Sequence, residues 1–161
     1  SRPRLIKGDM TLYAEPLSRP GTVYLFGGGH VGRALVPILA MVDFRVVVCD
    51  QRPAAASREA LPQAAEVYCL PYEDAFAHLP PVTAEDYVVI MTPGHEADFE
   101  VLRQALATPA RYIGCIGSRR KSPIGLPIGG DTPAEIAVSI AAQLIACRSD
   151  RLEERGNCHG G

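Results

Sequence analysis

The chain contains no tryptophan, and aromatic residues fill only 6% of its 161 positions, so the core has to be aliphatic, built from Val, Ile, Leu and Ala. It also lacks a dominant charge. Sixteen Lys and Arg face eighteen Asp and Glu for a net charge of −2, so no global basic field exists to hold a nucleic acid or an anionic membrane. No apolar run reaches the ~18 residues of a membrane span, and no charged start followed by an apolar stretch marks a secretory leader. The five cysteines, at 49, 69, 115, 147 and 158, are odd in number and include no Cys-x-x-Cys pair. That pattern speaks against a disulfide framework or a protein-bound metal and makes a reducing cytoplasm the natural compartment. Cys49, Cys69 and Cys115 lie in apolar runs and read as small hydrophobes. Cys158-His159 reads as part of a C-terminal tail over 150–161.

Glycine (15) and proline (14), by contrast, are plentiful and point to many short elements with sharp connections. With 47% hydrophobic and 21% charged residues, the composition is that of a globular domain, and the length suits one domain. A chain of this size buries roughly 70% of its unfolded surface, so its core needs no covalent support.

Residues 1–20, punctuated by Pro3, Pro16 and Pro20, read as an arm or linker with one short strand at Met10–Glu15. The organised part, 21–149, alternates strand and helix patterns. Strands are expected at Thr22–Phe26, Phe44–Cys49, Val67–Leu70, Asp86–Thr92 and Arg111–Ile116. Helices are expected at Val31–Val42, weakly at Arg52–Ala64, near Glu73–His78, at Ala97–Leu106 with Phe99, Leu102 and Leu106 on one face, and at Ile136–Arg148. Pro37 should kink or loosen the first of these. Thr132-Pro133-Ala134-Glu135 forms a capping box that opens the last one. Such alternation, with the near-continuous apolar run before Thr92, predicts a doubly wound parallel sheet, Rossmann-like, in three layers α/β/α.

Gly27-Gly28-Gly29-His30-Val31-Gly32 fits G-x-G-x-x-G between a strand and a helix, and Asp50 ends the next strand 18 positions beyond Gly32. This is the context of a dinucleotide fingerprint. Gly27 permits the tight turn, Gly29 lets backbone amides approach a pyrophosphate, and Gly32 allows close packing. Asp50 is placed to accept ribose hydroxyls, which favours NAD, while Arg52 is near enough for a 2′-phosphate. The alternative is a turn that keeps the shape and holds no dinucleotide. His30 lies beside any bound phosphate as donor or general acid, or merely ends the turn. Thr92-Pro93-Gly94-His95 follows another strand and aims His95 at the same cleft, with Asp98 placed to cap the helix behind it. Gly117-Ser118-Arg119-Arg120-Lys121 follows a third, where consecutive cations either bind an anion or form a solvated charge run.

In order, FGGGHVG (26–32), DQRP (50–53), TPGHEADFEVL (92–102), YIGCIGSRRK (112–121) and PIGLPIGGDTPAEIAVSIAA (123–142) resemble the C-terminal Rossmann domain of the XdhC/CoxI family. These are accessory proteins of xanthine dehydrogenase and related molybdenum hydroxylases, and the similarity runs from Tyr13 to Arg148. It implies a maturation factor that binds the molybdenum cofactor, as molybdopterin or its dinucleotide, with or instead of NAD(P). It also implies help with sulfuration alongside a cysteine desulfurase, delivery to the apo-enzyme, and a carrier's role rather than turnover; a homodimer is possible. On this reading Gly27–Gly32 hold phosphate, Asp50 a ribose or pterin hydroxyl, and His95 with Ser118–Lys121 surround the terminal group. The rival reading is an NAD(P)-dependent oxidoreductase or an NAD(H)-binding regulatory domain, although the chain has no Tyr-x-x-x-Lys pair and no separate substrate domain. Three departures from the family stand out. The N-terminal cysteine-bearing region is absent, Asp131 replaces the usual Glu, and Lys121 runs straight into Ser122-Pro123 where a helix-sized stretch normally lies. Since a parallel crossover needs about a dozen residues, the last departure leads to the expectation of a further segment after Lys121.

Overall fold

A computed structural model describes residues 4–6, 12–14, 21–116, 125 and 131–149. In the first stretch, β1 (Arg4–Ile6) and β2 (Leu12–Ala14) pair antiparallel, with Leu5 opposite Tyr13. The main sheet holds β3 (Thr22–Phe26), β4 (Arg45–Asp50), β5 (Glu66–Cys69), β6 (Tyr87–Ile90) and β7 (Tyr112–Cys115). All its pairings are parallel, in the order β5-β4-β3-β6-β7. Phe26 is in register with both Cys49 and Ile90, so three strands end side by side at the carboxyl edge.

Both faces of the sheet are covered, which is why the strands read as unbroken apolar runs. Val23, Leu25, Val46, Val48 and Val89 face α1 (His30–Met41) and α4 (Pro133–Arg148), meeting Leu35, Leu39, Ile140 and Leu144. On the opposite face Tyr24, Phe26, Val47, Val88 and Ile90 meet α3 (His95–Ala105), the short α2 (Ala75–His78) and Tyr72 of a single 3-10 turn. Fully burying one such aliphatic side chain is worth about 1.5–3 kcal/mol, so this two-sided core supplies most of the drive to fold. The expected doubly wound, three-layered Rossmann-like architecture is therefore present.

Local outcomes differ in three places. No helix fills Arg52–Ala64: Ser57 Oγ accepts from the Ala60 amide at 3.1 Å and starts a turn. Pro62 follows too soon to let that turn propagate. Helix α1 runs unbroken through Pro37, although proline cannot supply the amide that the Arg33 carbonyl would otherwise receive. In α3 the buried residues are Asp98, Val101 and Ala105, whereas Phe99 (70% exposed) and Leu106 (58%) face outward. Arg111 at the start of β7 donates to the Cys147 carbonyl at 2.7 Å, and Arg148 donates to the Val42 carbonyl at the end of α1 at 2.8 Å. Both contacts put the end of α4 at the amino edge of the sheet, so α4 begins on the carboxyl edge where β7 ends. The capping box of α4 is formed as expected, with Glu135 N donating to Thr132 Oγ1 at 3.1 Å and Thr132 N to Glu135 Oε1 at 3.0 Å.

Candidate functional site

The crevice opens where the chain leaves β3 for one side of the sheet and β6 for the other, the place where parallel sheets collect ligands. Gly27 sits there at φ +119°, and a Cβ on it would stand 2.4 Å from the Met91 carbonyl oxygen. Its amide donates to the Cys49 carbonyl at 3.0 Å, tying the turn to β4. A Cβ on Gly32 would lie 2.5 Å from the Gly27 oxygen, so the first turn of α1 can nestle against the loop only with glycine here. Gly29 differs. A Cβ there would meet only the Arg52 Nη2 atom, at 3.7 Å, and the position faces open space.

Helix α1 begins without a side-chain cap and without an acidic residue in its first turn. Among the described residues the amides of Gly29, His30, Val31 and Gly32 meet no acceptor, as the open N-terminus of a helix leaves them. They border a pocket of about 310 Å³ lined by Gly29, His30, Val31, Gly32, Arg52, Met91, Pro93 and Ile116. Free donors, the positive end of a helix dipole and a guanidinium converge there, an arrangement suited to a phosphate.

Asp50, fully buried at the end of β4, does not present its carboxylate to that pocket. It accepts from the Gly28 amide (2.8 Å), the Arg52 amide (2.8 Å), Arg52 Nε (3.0 Å) and Arg52 Nη2 (2.8 Å). Burial alone would raise its pKa; the Arg52 guanidinium with the Gly28 and Arg52 amides outweighs burial and holds the carboxyl below its usual value. The expected acceptor of ribose hydroxyls is thus committed to its own neighbours. Tyr72 lies close by; among the described residues its buried hydroxyl has no partner in hydrogen-bonding geometry, and burial followed by the Asp50 charge pushes its pKa up.

The other expected residues divide. His30, exposed as the first residue of α1, lines the pocket; His95, exposed at the head of α3, does not line it. Nor do Thr92 and Gly94. Thr92 is buried, its amide donates to Asp98 Oδ1 at 3.0 Å, and its hydroxyl reaches the same carboxylate and the Gly94 carbonyl. Thr92 therefore braces the turn into α3. Asp98, expected as a helix cap, instead turns back onto Thr92, and the N-cap of α3 is Gly94 with no side-chain bond. Gly117, Ser118, Arg119, Arg120 and Lys121 lie outside the described residues and follow directly on Ile116 in the chain.

Met91, Pro93 and Ile116 line the pocket although no sequence motif singles them out as ligand contacts; Met91 and Ile116 directly follow β6 and β7, Pro93 lies just beyond β6, and that position is the one signal the sequence carries. Gly28 is expected as a ligand contact, yet a Cβ on it would lie 2.4 Å from the Ala55 oxygen, so the β4–β5 connection also requires glycine there. Cys49 is buried, and burial with the Asp50 charge pushes its thiol up to about 12. Cys69, expected to be a core hydrophobe, is exposed at the end of the edge strand β5, its Sγ 3.7 Å from the Gln51 oxygen. Among the described residues no three His, Cys, Asp or Glu side chains cluster closely enough to hold a metal.

A parallel sheet with this strand order, a glycine turn at its switch point and an open helix N-terminus define a Rossmann-like domain. Residues 23–122 match the XdhC Rossmann domain, and the chain belongs to that family. It is 29% identical, over 149 aligned positions, to a probable xanthine dehydrogenase subunit of Bacillus subtilis strain 168, covering 83% of this chain and 44% of that one. It is 24% identical over 176 aligned positions to the uncharacterized protein YqeB of Escherichia coli K12, covering 96% of this chain and 31% of the other. A crystal structure of a xanthine dehydrogenase from Bacillus halodurans superposes with a TM-score of 0.74 at 32% identity, over 89% of this chain and 46% of that chain. The chain thus spans less than half the length of each of these relatives.

Proposed function

We propose that this domain serves as an accessory factor for a xanthine dehydrogenase-type molybdoenzyme and binds the phosphate-bearing end of the molybdenum cofactor in the cleft at Gly29–Gly32. One observation carries the reading: the amides of Gly29–Gly32, unpaired among the described residues, share a pocket with Arg52 in a domain of the XdhC family. Molybdopterin ends in a phosphate and its dinucleotide contains a pyrophosphate, so donors at a helix N-terminus fit either form. In that arrangement the α1 amides and Arg52 hold the phosphate, and His30 stands at its side as a donor. When bound, the cofactor supplies the molybdenum centre; the chain supplies orientation and shelter. The domain acts in the cytoplasm as a carrier, with the apo-molybdoenzyme and a cysteine desulfurase as partners, as a monomer or a homodimer.

A dinucleotide oxidoreductase or NAD(H) sensor that grips ribose through Asp50 would need that carboxylate free, and here it already accepts four hydrogen bonds. Calorimetry of the purified chain against molybdenum cofactor, NAD and NADP tests the proposal. Binding of molybdenum cofactor supports it; binding of NAD or NADP without molybdenum cofactor overturns it.

A further inference from the structure

Helix α4 is built the wrong way round for a helix at a water-facing surface. Its sixteen residues carry charge only at Glu135 and Arg148, and no position from 136 to 147 is charged. The two polar side chains in that stretch, Ser139 and Gln143, are buried, and Gln143 accepts from the Tyr112 hydroxyl at 3.2 Å. Val138 instead points outward, 48% exposed, with Ala134 exposed and Ala142 and Ile145 partly so. Beside it α1 carries no carboxylate and ends on Met41, 75% exposed. Helix α3 is the contrast: its outward Phe99 and Leu106 stand among the exposed Glu96 and Arg103, as suits a face in water. A helix apolar all round is normally buried all round. Here Val138 and Met41 are left open.

The order of residues along α4 says what fits there. About a two-fold axis between Ala141 and Ala142, an antiparallel second α4 sets Val138 opposite the partner's Ile145 and Glu135 opposite the partner's Arg148. Alanines at the crossing let the two helix axes approach to about 8 Å, the close end of the packing range. Apolar side chains flank that crossing, and opposite charges meet at both ends. Arg148 is held in place for this, since its Nη1 donates to the Val42 carbonyl and its guanidinium lies 4.2 Å from the Phe44 ring centroid. A face that meets a different body has no need to be its own complement, whereas a two-fold contact requires it. We infer that the outer face of α4 pairs with α4 of a second copy of this chain to form a two-fold dimer. The inference does not rest on the carrier reading.

Sedimentation of the purified chain between about 1 and 100 μM should show a reversible monomer–dimer equilibrium, with Kd on the order of 10 μM for so small an interface. Val138→Glu and Ile145→Lys each set a charge against an apolar residue and should weaken self-association at least tenfold, with thermal melts recorded to show that both stay folded. Their equimolar mixture reads the pairing itself. Antiparallel contact brings the introduced carboxylate of one variant against the introduced ammonium of the other, so the mixture should associate at least tenfold more tightly than either variant alone. Phe99→Ser, on α3, should leave the dimer unchanged. A wild type that stays monomeric throughout overturns the inference. So does a folded Val138→Glu that dimerises like the wild type, or loss of the dimer in Phe99→Ser. A mixture that associates no better than its parts overturns the antiparallel pairing. No ligand enters the experiment, so its outcome is separate from that of the cofactor titrations.

Discussion

The Arg52 guanidinium grips the Asp50 carboxylate with two nitrogens, Nε at 3.0 Å and Nη2 at 2.8 Å, across only two positions of sequence. That pairing fixes the turn leaving β4, commits a buried carboxylate to donors of the chain itself, and brings a cation to the pocket at Gly29–Gly32.

Asp50→Asn should destabilise the domain by about 1–3 kcal/mol, because a charged acceptor of several hydrogen bonds is replaced by a neutral one. The pH dependence follows from the lowered carboxyl pKa. A depressed value in the folded state gives stability that is present above the unfolded value of about 3.9 and is lost as pH falls through the folded one. Urea unfolding from pH 7 down to pH 2 should show a shallower acid limb in Asp50→Asn than in the wild type.

Gly29 and Gly32 should separate binding from folding. Gly32→Ala forces a methyl to within 2.5 Å of the Gly27 carbonyl oxygen and should cost about 1–3 kcal/mol. Gly29→Ala has room and should leave the unfolding midpoint within experimental scatter while narrowing the pocket and weakening phosphate-bearing ligands. Thermal melts and calorimetry on the two variants read the two effects independently.

Thr92→Val should cost about 1–2 kcal/mol by removing the hydroxyl that braces Asp98, with the amide bond from residue 92 retained. If Thr92 contacted ligand directly, binding would fall more than stability does. The bracing role predicts the reverse ordering, measured by chemical denaturation alongside ligand titration.

Thiol labelling of the native chain followed by peptide mass mapping should find Cys69 modified, and Cys49 and Cys147 protected. Reactivity requires an accessible thiolate, and the Cys49 thiol is both buried and pushed up to about 12.

Helix α3 offers a check on side-chain direction. Phe99→Ser should change stability by less than about 0.5 kcal/mol, as surface substitutions do. Val101→Ala should cost about 2 kcal/mol, since it empties buried space against the sheet. Denaturant midpoints for the two variants decide it.

How much of the molecule is legible in its sequence differs from element to element. The strands are legible because β-branched runs such as Val46–Val48 and Val88–Ile90 tolerate few other environments, and the start of α4 because Thr132 and Glu135 are a local device. Helix α3 is legible in place and misleading in phase: Phe99 and Leu106 outrank Val101 and Ala105 in hydrophobicity, yet a close helix–sheet contact prefers the smaller residues. Likewise, spacing puts Asp50 at the end of β4, but whether its carboxylate faces a ligand or Arg52 is a matter of side-chain geometry that spacing does not encode. His95 heads α3 and does not line the pocket, whose wall on that side is formed by Pro93.

The central claim, a phosphate-bearing cofactor seated at Gly29–Gly32, is tested most directly by titrating the wild-type chain and Gly29→Val with molybdenum cofactor under anaerobic conditions. The wild type should bind saturably and one-to-one, with Kd on the order of 1 μM or tighter, and binding should weaken at least tenfold in a Gly29→Val variant that unfolds at the wild-type temperature. Absence of binding by the wild type, or equal binding by the two proteins, would contradict the claim.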